Sequence, residues 1–207
     1  MGREGRRSDR GMDRMVNFSD AVVAIAISLL ILPVVDSVSD VTAGDSAFDV
    51  FRDNGDRLLA FVLSFVVIAR FWMAHHAILE AVTSYSHALV VANMAWLLSI
   101  VFMPLPTEVL GVRGSSETFV RVVYIASMLA SSLSLLLIQV VIARTPAIWP
   151  DDVRPVRPLR AVVVMPALVA ASLVVAVAVP FIGMWALLLL ALTGPITERL
   201  APGAAEE

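Results

Sequence analysis

The sequence predicts an all-α integral membrane protein with six transmembrane helices per subunit, and three observations carry that prediction. Hydrophobic residues make up 59% of the 207-residue chain and the mean hydropathy is +0.87, against roughly 45–50% apolar content for a soluble domain. The apolar residues gather into runs of about 20 with few charges, the length that crosses a hydrocarbon core of about 30 Å at 1.5 Å per helical residue. The segments between the runs are short and rich in Asp, Arg, Pro and Gly, so the chain reads as one membrane domain. It has no cysteine, which excludes disulfides and thiolate metal sites.

The spans are expected at residues 16–35, 58–79, 88–106, 119–143, 160–179 and 181–196, together a six-helix domain over residues 16–197. Residues 1–15, rich in Gly, Arg and Asp, read as a disordered cytoplasmic tail, and residues 198–207 as a second cytoplasmic tail. An Asp/Arg-rich loop follows the first span. The Pro-rich linker TPAIWPDDVRPVRP follows the fourth, because proline cannot continue a helix. Pro180 and Gly183 mark the tight turn between the last two spans. A cleaved signal peptide fits the first apolar run poorly: the run is too long and lacks a small-residue cleavage site before the polar loop.

Every basic residue is arginine, and the arginines are placed unevenly. Arg3, Arg6, Arg7, Arg10, Arg14, Arg70, Arg144, Arg154, Arg157, Arg160 and Arg199 fall on one side of the predicted spans. The other side has Arg52, Arg57, Arg113 and Arg121 facing the six aspartates of the first loop. Positive residues stay cytoplasmic, so both termini are expected inside, with the chain a multi-pass protein of the cell membrane.

Polar side chains inside spans are costly and call for a partner or a wet cavity. Asp20, His75, His76 and Asn93 each fall a few residues inside the cytoplasmic end of the first, second or third span, hence at one depth. The functional reading is an inter-helix polar network of Arg14, Phe18, Ser19, Asp20, Trp72, His75, His76 and Asn93. The alternative is that such residues simply reach headgroup water. A metal site on His76 and Glu80, at i, i+4 spacing, is a sharper alternative, but no HExxH pattern is present and no metal or other cofactor is expected.

Ile25, Leu29 and Leu32 follow i, i+4, i+7 spacing on the first span, with Ser28 beside them. By periodicity alone this is a packing stripe. Ala21, Ala24 and Ala26 on the other faces allow close helix approach.

The segment RMVNFSDAVVAIAIS, residues 14–28, resembles the Arg-x-x-x-Phe-Ser-Asp signature of the transmembrane protein 175 family, the endolysosomal potassium channels and their bacterial homologues. SFVVIARFWMAHHAIL resembles the family's second helix with its Trp and paired His, and Asn93 and MPLPT resemble features of its third. The resemblance covers about the first half of the chain; beyond Gly111 only the hydropathy pattern agrees. It implies a potassium-preferring cation channel and no enzyme. The signature helix would line a central pore in a lipid bilayer, with potassium the permeating ion and no nucleic-acid partner. Animal members carry two six-helix repeats and dimerise, so one signature per chain implies a homotetramer. By the match, Ile25 is the constricting residue, Leu29 and Leu32 form further apolar rings, and Ser28 stands where threonine is usual. That exchange keeps the hydroxyl and loses a methyl.

The chain contains no TVGYG loop, so selection by a cage of backbone carbonyls is excluded and side chains must do it. A secondary transporter is the main alternative, although the halves show no similarity and the ionisable groups lie off the midplane. A proton-leak channel is a second, given the His and Asp near the inner mouth. A membrane enzyme would need a nucleophile or metal cluster that the sequence does not present.

Overall fold

The computed structural model describes residues 3–38, 46–80, 82–114, 116–148 and 162–178. Among them all regular structure is helical: α1 (Arg3–Leu29), α2 (Leu32–Val38), α3 (Ala47–Asp53), α4 (Gly55–Glu80), α5 (His87–Phe102), α6 (Pro104–Arg113), α7 (Thr118–Ala143) and α8 (Val164–Ala178), with a 3₁₀ turn at Pro146–Ile148. Helices are what a chain in hydrocarbon must form, because each backbone N–H and C=O then finds its partner within its own segment. Among the described residues four stretches are long and apolar enough to cross a bilayer: Gly11–Ser37, Gly55–Glu80, His87–Arg113 and Thr118–Ala143. Helix α8 is a shorter apolar helix within the expected fifth span, and the expected sixth span, 181–196, lies outside the described residues.

Two of the crossings are broken helices, and proline accounts for both. Pro33 has no N–H to offer the carbonyl of Leu29, so the first crossing is interrupted between α1 and α2. There Leu30 N–H turns back to Ile27 O at 3.2 Å, and both Val34 and Val35 donate to Ile31 O at 3.0 Å. Pro104 does the same to the third crossing. Met103 N–H bonds Ile100 O at 3.1 Å, and α6 starts anew with Thr107 N–H on Met103 O at 3.2 Å. Elsewhere the ends carry ordinary signals. Ser46 and Ser86 cap α3 and α5 through their hydroxyls, and Gly114, at φ 73°, closes α6.

The expected disordered tail over residues 1–15 needs correction, since residues 3–15 are helical and continuous with the first crossing. Packing explains it at the inner end of that stretch. Met12 and Met15 are buried, and Gly11 lies so close to the Tyr85 ring that a Cβ there would overlap it. The Asp/Arg-rich loop also holds more order than its composition suggests, in the short capped helix α3.

The core lies between α1, α4, α5, α6 and α7, with α8 against α7. Ile68, Phe71, Leu89, Trp96, Ile100, Tyr124, Ile125 and Ile138 are fully enclosed. Residues 82–86 join α4 to α5 and dock on the turn after α7, where Thr83 and Ser84 N–H both donate to Ile148 O at 3.0 and 3.2 Å. The N-terminal end of the first crossing, this connection and the turn after α7 thus pack together.

Candidate functional site

Helix α1 is two-sided. Met12, Met15, Ser19, Val23, Ala26 and Leu30 recur every three or four residues and are buried against α4 and α5. The opposite face holds Arg14, Phe18, Ile25, Ser28 and Leu29, with Ala21 on this face rather than on another as expected, and Leu32 at the start of α2 continues it, all exposed. Ile25 is 61% exposed, Leu32 48% and Leu29 42%. Among the described residues, the stripe taken from periodicity is therefore not packed in the core of the chain. Ser28 Oγ donates to the carbonyl of Ala24 at 2.8 Å, which leaves the oxygen's lone pairs on the exposed face.

The buried face is held by a directed chain of hydrogen bonds. Ser19 Oγ donates to Met15 O at 2.9 Å, so its oxygen can accept from Asn93 Nδ2, also at 2.9 Å. With the amide nitrogen so engaged, Asn93 Oδ1 is left to accept from His75 Nε2 at 2.7 Å. All three residues are buried, and the His75 ring lies flat on Trp96 with centroids 3.7 Å apart and planes at 5°. One residue from each of α1, α4 and α5 is thus joined at one level.

Asp20, one position on from Ser19, points to a second cluster about 100° around the helix. Its Oδ1 accepts from Trp72 Nε1 at 2.8 Å. His76 lies against the Trp72 ring, with Nδ1 4.0 Å from Asp20 Oδ1 and Nε2 3.7 Å from Glu80 Oε1. His76 and Glu80, weighed above as metal ligands, therefore face each other. Among the described residues no group of three or more His, Cys, Asp or Glu converges on a point.

The structure brings six of the eight proposed network residues together in these two clusters, and Arg14 and Phe18 stay out. Helical register explains the correction. Both belong to the exposed sector with Ala21 and Ile25, far around the helix from Ser19. Asp20 likewise makes no hydrogen bond to His75 or Asn93, since its partner is Trp72.

A further polar chain went unforeseen. Ser64 Oγ on α4 is 2.9 Å from Tyr124 Oη on α7 and 2.8 Å from Thr107 Oγ1 on α6, and all three are buried. The available signal was a tyrosine within the apolar run of α7, which in lipid must find a partner for its hydroxyl.

Residues 14–104 match the family model described as endosomal/lysosomal potassium channel TMEM175. Over that segment, less than half of its length, the chain is similar to the TMEM175 family. The segment contains both polar clusters and the exposed stripe of α1. A protein named potassium channel from Streptomyces collinus is 34% identical over 97 residues, 47% of this chain and 46% of its own length. Another of that description from Chamaesiphon minutus is 35% identical over 97 residues, 47% of this chain and 48% of its own. The human protein named endosomal/lysosomal proton channel TMEM175 is 29% identical over 93 residues, 44% of this chain and 18% of its own. The chain thus spans about half the length, or less, of these three curated relatives. The fold agreement reaches further. The crystal structure of a lysosomal potassium-selective channel TMEM175 homologue from Chamaesiphon minutus superposes with a TM-score of 0.65 at 25% identity, over 92% of this chain and 98% of that one.

Proposed function

We propose that the chain is one subunit of a homotetrameric, potassium-preferring cation channel, passive and without enzymatic activity, whose pore is lined by the exposed face of α1. The observation that carries this reading is the two-sidedness of α1. One face is fixed to α4 and α5 by hydrogen bonds, while a stripe of large apolar side chains on the other is left exposed among the described residues. Four copies with that stripe toward a common axis would cover it. The names of relatives from Streptomyces collinus and Chamaesiphon minutus support potassium as the ion.

In this reading Ile25 forms the narrow apolar ring, Leu29 and Leu32 form rings above it, and an ion must shed water to pass. Potassium surrenders its hydration shell more readily than sodium, so such a ring favours potassium to a modest degree. Four Ser28 oxygens beside it, their protons turned back to Ala24, offer lone pairs that partly replace the lost water. The six spans from residue 16 to 197 form the channel domain in the cell membrane, with both termini cytoplasmic, a reading that the arginine distribution supports. The Asn93 and Asp20 clusters hold α1 at the angle that turns Ile25 toward the axis.

Purified protein in liposomes under potassium or sodium gradients tests this. Fast, non-saturating flux with potassium ahead of sodium is the expected result. Saturable, coupled uptake would replace the channel reading with a transporter. A proton pathway is a second reading, favoured by the line of titratable groups Glu80, His76 and Asp20 leading to the flank of α1, and by the proton-channel name of the human relative. Proton flux that persists without permeant metal cations would select it.

A further inference from the structure

The Ser64, Thr107 and Tyr124 chain plays no part in the conduction route described so far. It lies eleven residues along α4 from His75, about 16 Å at 1.5 Å per residue, and so toward the opposite end of the bundle from the Asn93 cluster. Thr107 Oγ1 is 2.8 Å from Ser64 Oγ and 2.8 Å from the carbonyl of Met103, and a carbonyl can only accept. The Thr107 hydroxyl donates toward both Ser64 Oγ and Met103 O, and Ser64 Oγ in turn meets Tyr124 Oη. The chain therefore ends on the carbonyl at the break between α5 and α6, where Ser127 Oγ also meets Met103 Sδ at 3.1 Å.

Thr107 faces a second structure as well. Together with Leu30, Pro33, Val34, Arg57 and Gly111 it lines a cavity of about 10 Å3 beside the break between α1 and α2, room for no more than one water. Gly111 makes the close approach possible, since a Cβ there would sit 3.1 Å from Arg57 Cα. At the α1–α2 break the helical bond onto Leu29 O is missing, so side-chain packing has more say in the angle between the two segments.

We propose that Thr107, Ser64 and Tyr124 are positioning residues for the outer end of the pore lining: they hold α6 against the α1–α2 break and so set how far Leu29 and Leu32 project toward the axis. The inference rests on the channel reading of α1. Its physical content is a division of labour. The Asn93 and Asp20 clusters orient the stretch of α1 that carries Ile25, and the hydroxyl chain orients the stretch beyond the break. Loss of one hydroxyl strands its neighbour beside a cavity that a water can enter, and the outer segment is freed while Ile25 keeps its place.

The absence of cysteine makes this testable by position, because Leu32→Cys and Ile25→Cys each introduce a single thiol. In proteoliposomes of purified tetramer, the measured quantity is the rate at which a cationic methanethiosulfonate reagent modifies each thiol, with and without Tyr124→Phe. One net buried hydrogen bond corresponds to about fivefold in an equilibrium. Modification at position 32 should therefore quicken about fivefold in Tyr124→Phe and Thr107→Val, while Thr107→Ser, which keeps the hydroxyl, restores the parental rate and position 25 does not change. If Tyr124→Phe fails to assemble, Ser64→Ala interrupts the same chain and is judged by the same rates. Unchanged rates at position 32, or equal rises at 25 and 32, would overturn the inference. Potassium flux through the parent in the same vesicles separates the two levels. Its absence overturns the channel reading and this inference with it, whereas normal flux with an unresponsive position 32 overturns this inference alone.

Discussion

Asn93→Ala should destabilise the fold by about 2–4 kcal/mol, a figure that follows from the bonds converging on one carboxamide. Asn93 is fully buried, donates to Ser19 Oγ at 2.9 Å and accepts from His75 Nε2 at 2.7 Å. Hydrogen bonds between membrane helices average about 0.6 kcal/mol each, so the two together contribute about 1.2 kcal/mol. Truncation also strands a His75 N–H in a site only 1% exposed, and an unsatisfied buried donor costs about 1–3 kcal/mol. The stacking of His75 on Trp96 blocks an easy rotation toward water. The assay is reversible unfolding in mixed micelles with increasing denaturing detergent, following tryptophan fluorescence. Asn93→Ala combined with Ser19→Ala should be less than additive, because the two share one bond. A loss below about 0.5 kcal/mol, within the range of ordinary surface substitutions, would show that the chain is not coupled as drawn and that α1 is held in place by apolar packing.

The other expectations address the pore, the second cluster and the close contact of α4 with α6. Ile25→Ala should widen the constriction and flatten the preference for potassium over sodium in reconstituted vesicles; unaltered permeation would remove Ile25 from the narrow ring. Asp20→Ala removes the acceptor for Trp72 Nε1, which loosens α1 from α4 and should reduce the tetramer fraction on size-exclusion chromatography, so a normal tetramer with normal currents would contradict the role. Gly111→Ala places a methyl 3.1 Å from Arg57 Cα, and separating two packed helices to admit it costs about 1–3 kcal/mol, which should appear as a lower thermal midpoint in detergent.

Residence in the membrane, the positions of four crossings and the candidate polar residues were all legible in the chain, because each rests on local properties. Hydropathy over about 20 residues answers to the thickness of the bilayer, and the spacing of Ile25, Leu29 and Leu32 answers to the pitch of one helix. The motif beginning at Arg14 was equally readable as a run of letters. Which residues meet was settled elsewhere. Ser19, His75 and Asn93 share a depth with Phe18, and only the rotation of α1 about its own axis admits Ser19 to the network and leaves Phe18 out. The tail expected to be disordered became helix where Gly11 could lie against Tyr85, a residue from another connection. The hydroxyl chain joins residues 60 and 43 positions apart. Depth and periodicity are properties of single segments and can be read one segment at a time. Rotation and partnership belong to pairs of segments, and they are fixed only when the helices pack and every buried hydroxyl, amide and imidazole has to find its match at once.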